Sequence, residues 1–103
     1  MLKFQKDVNG HDILLNKNGN QIMMQWEEPL MHAHVDELKP KGDVLEIGFG
    51  LGYSATRFQK YNIESYTIIE CDSNVIEHCR VWSKKYNNID IIHGRWQEEF
   101  DNL

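Results

Sequence analysis

VLEIGFGLGYSA, residues 44–55, runs from an apolar strand into glycines at 48, 50 and 52 and then directly into residues suited to a helix. Val44, Leu45 and Ile47 predict a buried strand, and residues 53–60 predict the helix after the loop. A glycine-rich turn at this junction lets a ligand approach the backbone, beside a helix N-terminus whose N–H groups lack partners. Working outward, Pro29 behind Glu27 and Glu28 opens a helix on which Leu30, Met31, His34, Val35 and Leu38 recur with helical spacing. That helix must stop before Pro40, and Lys41-Gly42-Asp43 turns the chain into the strand.

Downstream, YTIIE (66–70) predicts a second strand and IDIIH (89–93) a third. Between them lies a helix over about 73–85, where Asn74 with Glu77 gives a capping-box pattern and Val75, Ile76, Cys79 and Trp82 form one face. Strands alternating with helices argue an α/β fold, a Rossmann-like parallel sheet of right-handed βαβ units. Upstream, Asn9-Gly10 and Asn18-Gly19 separate short apolar runs and predict a small β-hairpin. No internal repeat is expected. The division is a lead-in segment over 1–25 and a cofactor-binding domain over 26–103.

A chain of 103 residues is one domain at most, and a domain so small hides only about 60% of the surface its unfolded chain exposes. Composition (41% hydrophobic, 26% charged) excludes disordered and membrane classes, and no apolar run approaches the roughly 20 residues of a spanning helix. With no signal-peptide pattern, the expectation is a cytoplasmic protein without a membrane partner. The net charge of −5 comes without any Lys/Arg cluster, which argues against nucleic acid as a partner. Cys71 and Cys79 read as reduced structural thiols. His32 and His34, two apart on a helix, point to different faces, so no metal site is expected.

Two nucleotide classes use such a loop. The dinucleotide fingerprint G-x-G-x-x-G, counted from Gly48, would place its third glycine at Tyr53. Glu46, Gly48, Gly50 and Gly52 instead look like the E-x-G-x-G-x-G motif of class I methyltransferases, which bind S-adenosyl-L-methionine. Glu70, ending the second strand, can accept two hydrogen bonds from a ribose diol in either class. Cys71 or Asp72 would then lie near the adenine, with Gly94, Arg95 and Trp96 on its other side.

The run IMMQWEEPLMHAHVDEL (22–38), followed by GDVLEIGFGLGYSA, YTIIECDSNVIEHCRVW and IIHGRWQE, resembles guanidinoacetate N-methyltransferase and the related arginine methyltransferases that modify the internal guanidino nitrogen. The resemblance covers about residues 18–99. It implies cofactor contacts from Met23 and Met31, from Phe49, Gly50, Leu51, Gly52, Tyr53 and Ser54, from Glu70, Cys71 and Asp72, and from Trp96 and Gln97. It implies Glu27 as the catalytic carboxylate beside the acceptor, a small guanidino or amine molecule or a protein arginine. Trp26, Met23 and Met31 could equally pack the first helix onto the sheet.

The resemblance also implies a sheet whose first strand is central, flanked on both edges. Here the expected strands lie on one side only, so Val44–Ile47 should present an open edge that recruits another strand or a second copy. Besides the partial enzyme, two readings stand: a non-catalytic nucleotide-binding module that pairs with another chain, and the nucleotide-binding half of an oxidoreductase.

Overall fold

A computed structural model describes residues 1–99. The lead-in is a three-stranded antiparallel sheet in the order β1 (Lys3–Lys6), β2 (Asp12–Leu15), β3 (Gln21–Met24). Two hairpins therefore stand where one was expected, and their turns repeat each other nine residues apart. Asp7 Oδ1 accepts from the amides of Asn9 and His11, as Asn16 Oδ1 does from Asn18 and Asn20. Only the glycine of each Asn-Gly pair takes a positive φ, so the Asp and Asn side chains, not a mirror-image turn, set these hairpins.

One 3₁₀ turn (Gln25–Glu27) leads into α1 (Glu28–Leu38), which ends with Lys39 in the left-handed region ahead of Pro40. The parallel sheet follows: β4 (Gly42–Ile47), α2 (Tyr53–Phe58), β5 (Ile63–Glu70), α3 (Ser73–Ser83), β6 (Ile89–His93) and a short α4 (Trp96–Glu99). Its order is β4-β5-β6, so β4 and β6 are the edges among the described residues. The second strand begins at Ile63, three residues before the expected start, because Ile63 is itself buried in the core.

Register places Val44, Glu46, Tyr66, Ile68, Ile89 and Ile91 on one face. Against that face pack Val35, Ala55, Phe58, Val75 and Cys79 from the helices. Leu45 and Ile47 look the other way and are 41% and 53% exposed. Asp36 on α1 ties the first two helices together, accepting from Arg57 Nε at 2.8 Å, Arg57 Nη2 at 2.7 Å and Tyr61 Oη at 2.5 Å. The Arg57 bonds, and next the Tyr61 bond, hold its carboxyl well below the usual range.

The lead-in sheet docks on α3. Asp72 Oδ1 accepts from the Leu2 amide at 2.8 Å, Asn74 Nδ2 donates to Leu2 O at 2.7 Å, and Phe4 stacks on His78. Asp72 Oδ2 accepts from the amides of Asn74 and Val75. The cap of α3 is therefore Asp72 and not the expected Asn74. No described helix is long and apolar enough to cross a membrane.

Gly52 sits at φ +81°, and a Cβ there would lie 2.6 Å from the ring of Phe49. Gly52→Ala should thus lower stability by about 2 kcal/mol or more through backbone strain and a displaced core ring. Denaturant unfolding at 25 °C checks this; a variant as stable as the parent would show that the loop is not held as described.

Candidate cofactor cleft

The carboxyl ends of β4, β5 and β6 meet in a cleft of about 290 Å³, at the low end of ligand-pocket sizes and suited to a nucleoside. Gly48, Glu70, Cys71, Trp96 and Gln97 all line it, together with Ile47, Ile69, Gly94 and Arg95. Cys71 carries an exposed free thiol, and Cys79 a buried one. Gly48 extends the ladder by donating its N–H to Ile69 O at 2.8 Å, and a Cβ built on it meets nothing within 4 Å. The backbone at Gly48 is therefore open on the cleft side.

Glu70 is 8% exposed. Its Oε1 accepts from the Phe49 amide at 2.8 Å and its Oε2 from the Asp72 amide at 3.0 Å. A carboxylate has about four lone-pair sites, so two remain for a ligand's hydroxyl pair. This chemistry and the clear backbone at Gly48 fit an adenosyl cofactor.

Glu46, the acid that opens the motif, lies behind the loop on the covered face, where it accepts from Tyr66 Oη. Burial pushes its carboxyl up to about 7, against the lowering effect of the Tyr66 bond and with a small addition from Glu70. Tyr66 itself is raised by burial and by Glu46. Sequence reasoning missed this pair. The one available signal was a tyrosine in phase with the core residue Ile68, and only the register reveals its place beside Glu46.

Other expected residues lie outside the cleft lining. The Phe49 ring is core, edge-on to Trp82 with centroids 5.2 Å apart, and only its amide reaches Glu70. Met23 on β3 lies over the loop, its Sδ 3.4 Å from the Leu51 amide that donates to it, and a Cβ on Gly50 would meet its side chain at 3.1 Å. Tyr53 turns toward the lead-in: its hydroxyl is buried without a partner among the described residues. Burial, then the charges of Asp12, Glu28 and Glu27, push it up to about 12. Glu27 Oε2 accepts from the Met24 amide at 2.8 Å, which fixes the carboxylate at the head of α1. Met31 and Ser54 are half-buried on α1 and α2. Asp72 is occupied with its cap and with Leu2.

Comparison with known proteins bears on family and fold. The family profile described as guanidinoacetate N-methyltransferase matches residues 3–103. Proteins named protein arginine N-methyltransferase 2 are similar: that of Candida glabrata is 32% identical over 99% of this chain and 25% of its own length. That of Cryptococcus neoformans is 34% identical over 87% of this chain and 30% of its own. The chain thus spans between about a fifth and a third of the length of the curated relatives it matches. Among solved structures, one described as a caffeoyl-CoA O-methyltransferase of Staphylococcus aureus aligns at a TM-score of 0.59 and 28% identity, over 80% of this chain and 41% of that one. Spermidine synthase of Thermotoga maritima aligns at 0.67 and 18% identity, over 100% and 50%, a likeness of fold alone.

Glu46 supplies a pH prediction. Its folded-state value lies above the ordinary glutamate value of 4.5, so the folded chain binds a proton the unfolded chain has released. Stability from this group is fully present below about 4.5 and is lost as pH rises through about 7. The loss amounts to about 3 kcal/mol. Glu46→Gln should remove that decline relative to the parent, measured by denaturant unfolding between pH 5 and 8. Parallel pH profiles would contradict the raised carboxyl of this half-buried side chain.

Proposed function

The chain belongs to the guanidinoacetate N-methyltransferase family, and we propose that it forms the cofactor-binding part of an S-adenosylmethionine-dependent enzyme that methylates a guanidino nitrogen. S-adenosylmethionine is the methyl donor of this family; when bound, it supplies a methyl group already activated on a positively charged sulfur. The protein's task is then orientation. The observation that carries the reading is the convergence of Gly48, Glu70, Cys71, Trp96 and Gln97 on one cleft at the carboxyl ends of three parallel strands.

Glu70 takes the ribose hydroxyls on its two remaining lone-pair sites while its backbone bonds keep the loop in place. Trp96 and Cys71 flank the base, and Gly48 gives clearance for the sugar. Glu27, held by the Met24 amide, offers a carboxylate to a planar guanidinium, for which paired charge-assisted bonds are the natural match. That orientation of the nucleophilic nitrogen is the chain's main contribution to rate. The acceptor is either a small guanidino molecule such as guanidinoacetate or a protein arginine. The names of the curated relatives favour the second.

A second reading has its own support. The β4 edge is unpaired among the described residues, and its outward Leu45 and Ile47 are largely exposed, so the chain works as a nucleotide-binding module that pairs this edge with a second copy. Size-exclusion chromatography separates the two. A concentration-independent monomer that binds cofactor contradicts the module, and a defined dimer supports it.

Calorimetric titration with S-adenosylhomocysteine, beside NAD, tests the cofactor reading. Saturable binding of the former alone is expected, and Glu70→Ala should weaken it by about 1.5–3 kcal/mol through lost charge-assisted bonds. The variant's melting curve is recorded in parallel, since Glu70 also anchors the loop. Unchanged affinity in a folded Glu70→Ala chain would sink the ribose assignment.

A further inference from the structure

Behind the glycine loop lies a second cavity, of about 600 Å³, twice the volume of the cofactor cleft. It is open to solvent on one side and bordered by the β1–β2 hairpin, by Phe49, Gly50 and Leu51, and by one side of α3. Part of its wall is aromatic. Phe4 and His78 stack with ring centroids 3.5 Å apart and planes 15° from parallel, and Phe49 stands edge-on to Trp82. Lys6 and Asp12 also line it and pair with each other, so the charge they present is balanced. Such a lining rewards a flat ring by stacking and offers a strongly charged ligand no unpaired counter-ion. Gln5 and Asp12 add polar acceptors at the wall.

We propose that this cavity binds a flat, uncharged heteroaromatic molecule with an N–H edge, and that its occupancy is coupled to the cofactor cleft through Phe49. The ring of Phe49 is a wall of the cavity, and its amide is the 2.8 Å partner of Glu70, whose carboxylate lines the cleft. A ring settling against Phe49 acts on the residue that orients Glu70. The coupling, though not the site itself, rests on the cofactor reading above.

Indole is the probe, titrated into the ¹⁵N-labelled chain. The indole N–H of Trp82, which donates to Thr56 Oγ1 at 3.0 Å, should shift saturably with a Kd of about 0.1–1 mM. The Trp96 signal, from the cofactor cleft, should stay in place. His78→Ala, at an exposed position, should weaken indole by about fivefold, with S-adenosylhomocysteine binding unchanged. Saturating S-adenosylhomocysteine should alter the indole Kd by about fivefold. Shifts centred on Trp96, or shifts that never saturate, overturn the site; an indole Kd indifferent to S-adenosylhomocysteine overturns the coupling. If S-adenosylhomocysteine fails to bind at all, the cofactor reading falls, and the Trp82 titration still decides the site.

Discussion

Glu70 is a carboxylate nine-tenths removed from water at the end of a strand, and such a group persists only where N–H donors replace the water it has lost. Two backbone amides do so. One belongs to Phe49 in the glycine loop and the other to Asp72 at the head of α3. The same side chain therefore joins β5 to the loop that leaves β4 and to the helix that follows β5. Asp72 carries the connection onward, because its carboxylate caps α3 and holds the Leu2 amide of the lead-in sheet. Two acids separated by one residue thus fix the relative positions of strand end, loop, helix and lead-in.

The covered face of the sheet carries a second acid, and its environment is opposite. Glu46 accepts from a tyrosine hydroxyl and from no backbone amide among the described residues, so burial wins and its carboxyl is raised to about 7. Glu70, with two amide donors, keeps its place in the cleft while adding only a minor repulsion to Glu46. The two carboxylates thus sit among different donors, a hydroxyl for Glu46 and two backbone amides for Glu70.

How far the sequence revealed this follows from how local each feature is. The strand, loop and helix around residue 50 are written in glycine spacing and apolar runs, and the parallel order of the sheet follows from alternation alone. β1 was not legible, since KFQK has one apolar residue whose reason to be there is His78, far along the chain. The cap of α3 was misplaced by two residues for a similar reason: Asp72 is favoured because it also serves Leu2. The Glu46–Tyr66 pair depends on register between β4 and β5. Tyr53, grouped with the loop by resemblance, turns away from the cleft because the first residue of α2 faces Asp12 of the lead-in and Glu27 and Glu28 at the head of α1.

The three glycines of the motif share one demand, a positive φ of +85°, +59° and +81°, and differ in what a side chain would meet, which bears on how much of the motif speaks of a ligand. At Gly52 a side chain would strike the Phe49 ring, a requirement of the core. At Gly50 it would press on Met23, a requirement of the lead-in sheet lying over the loop. The positive φ asks for glycine at all three, whether or not a ligand binds. At Gly48 a Cβ would meet no atom of the protein, and the residue lies in the cleft beside Glu70. The space in front of it is not filled by packing, so its emptiness and the nearby carboxylate, more than the count of glycines, are what point to a nucleoside there.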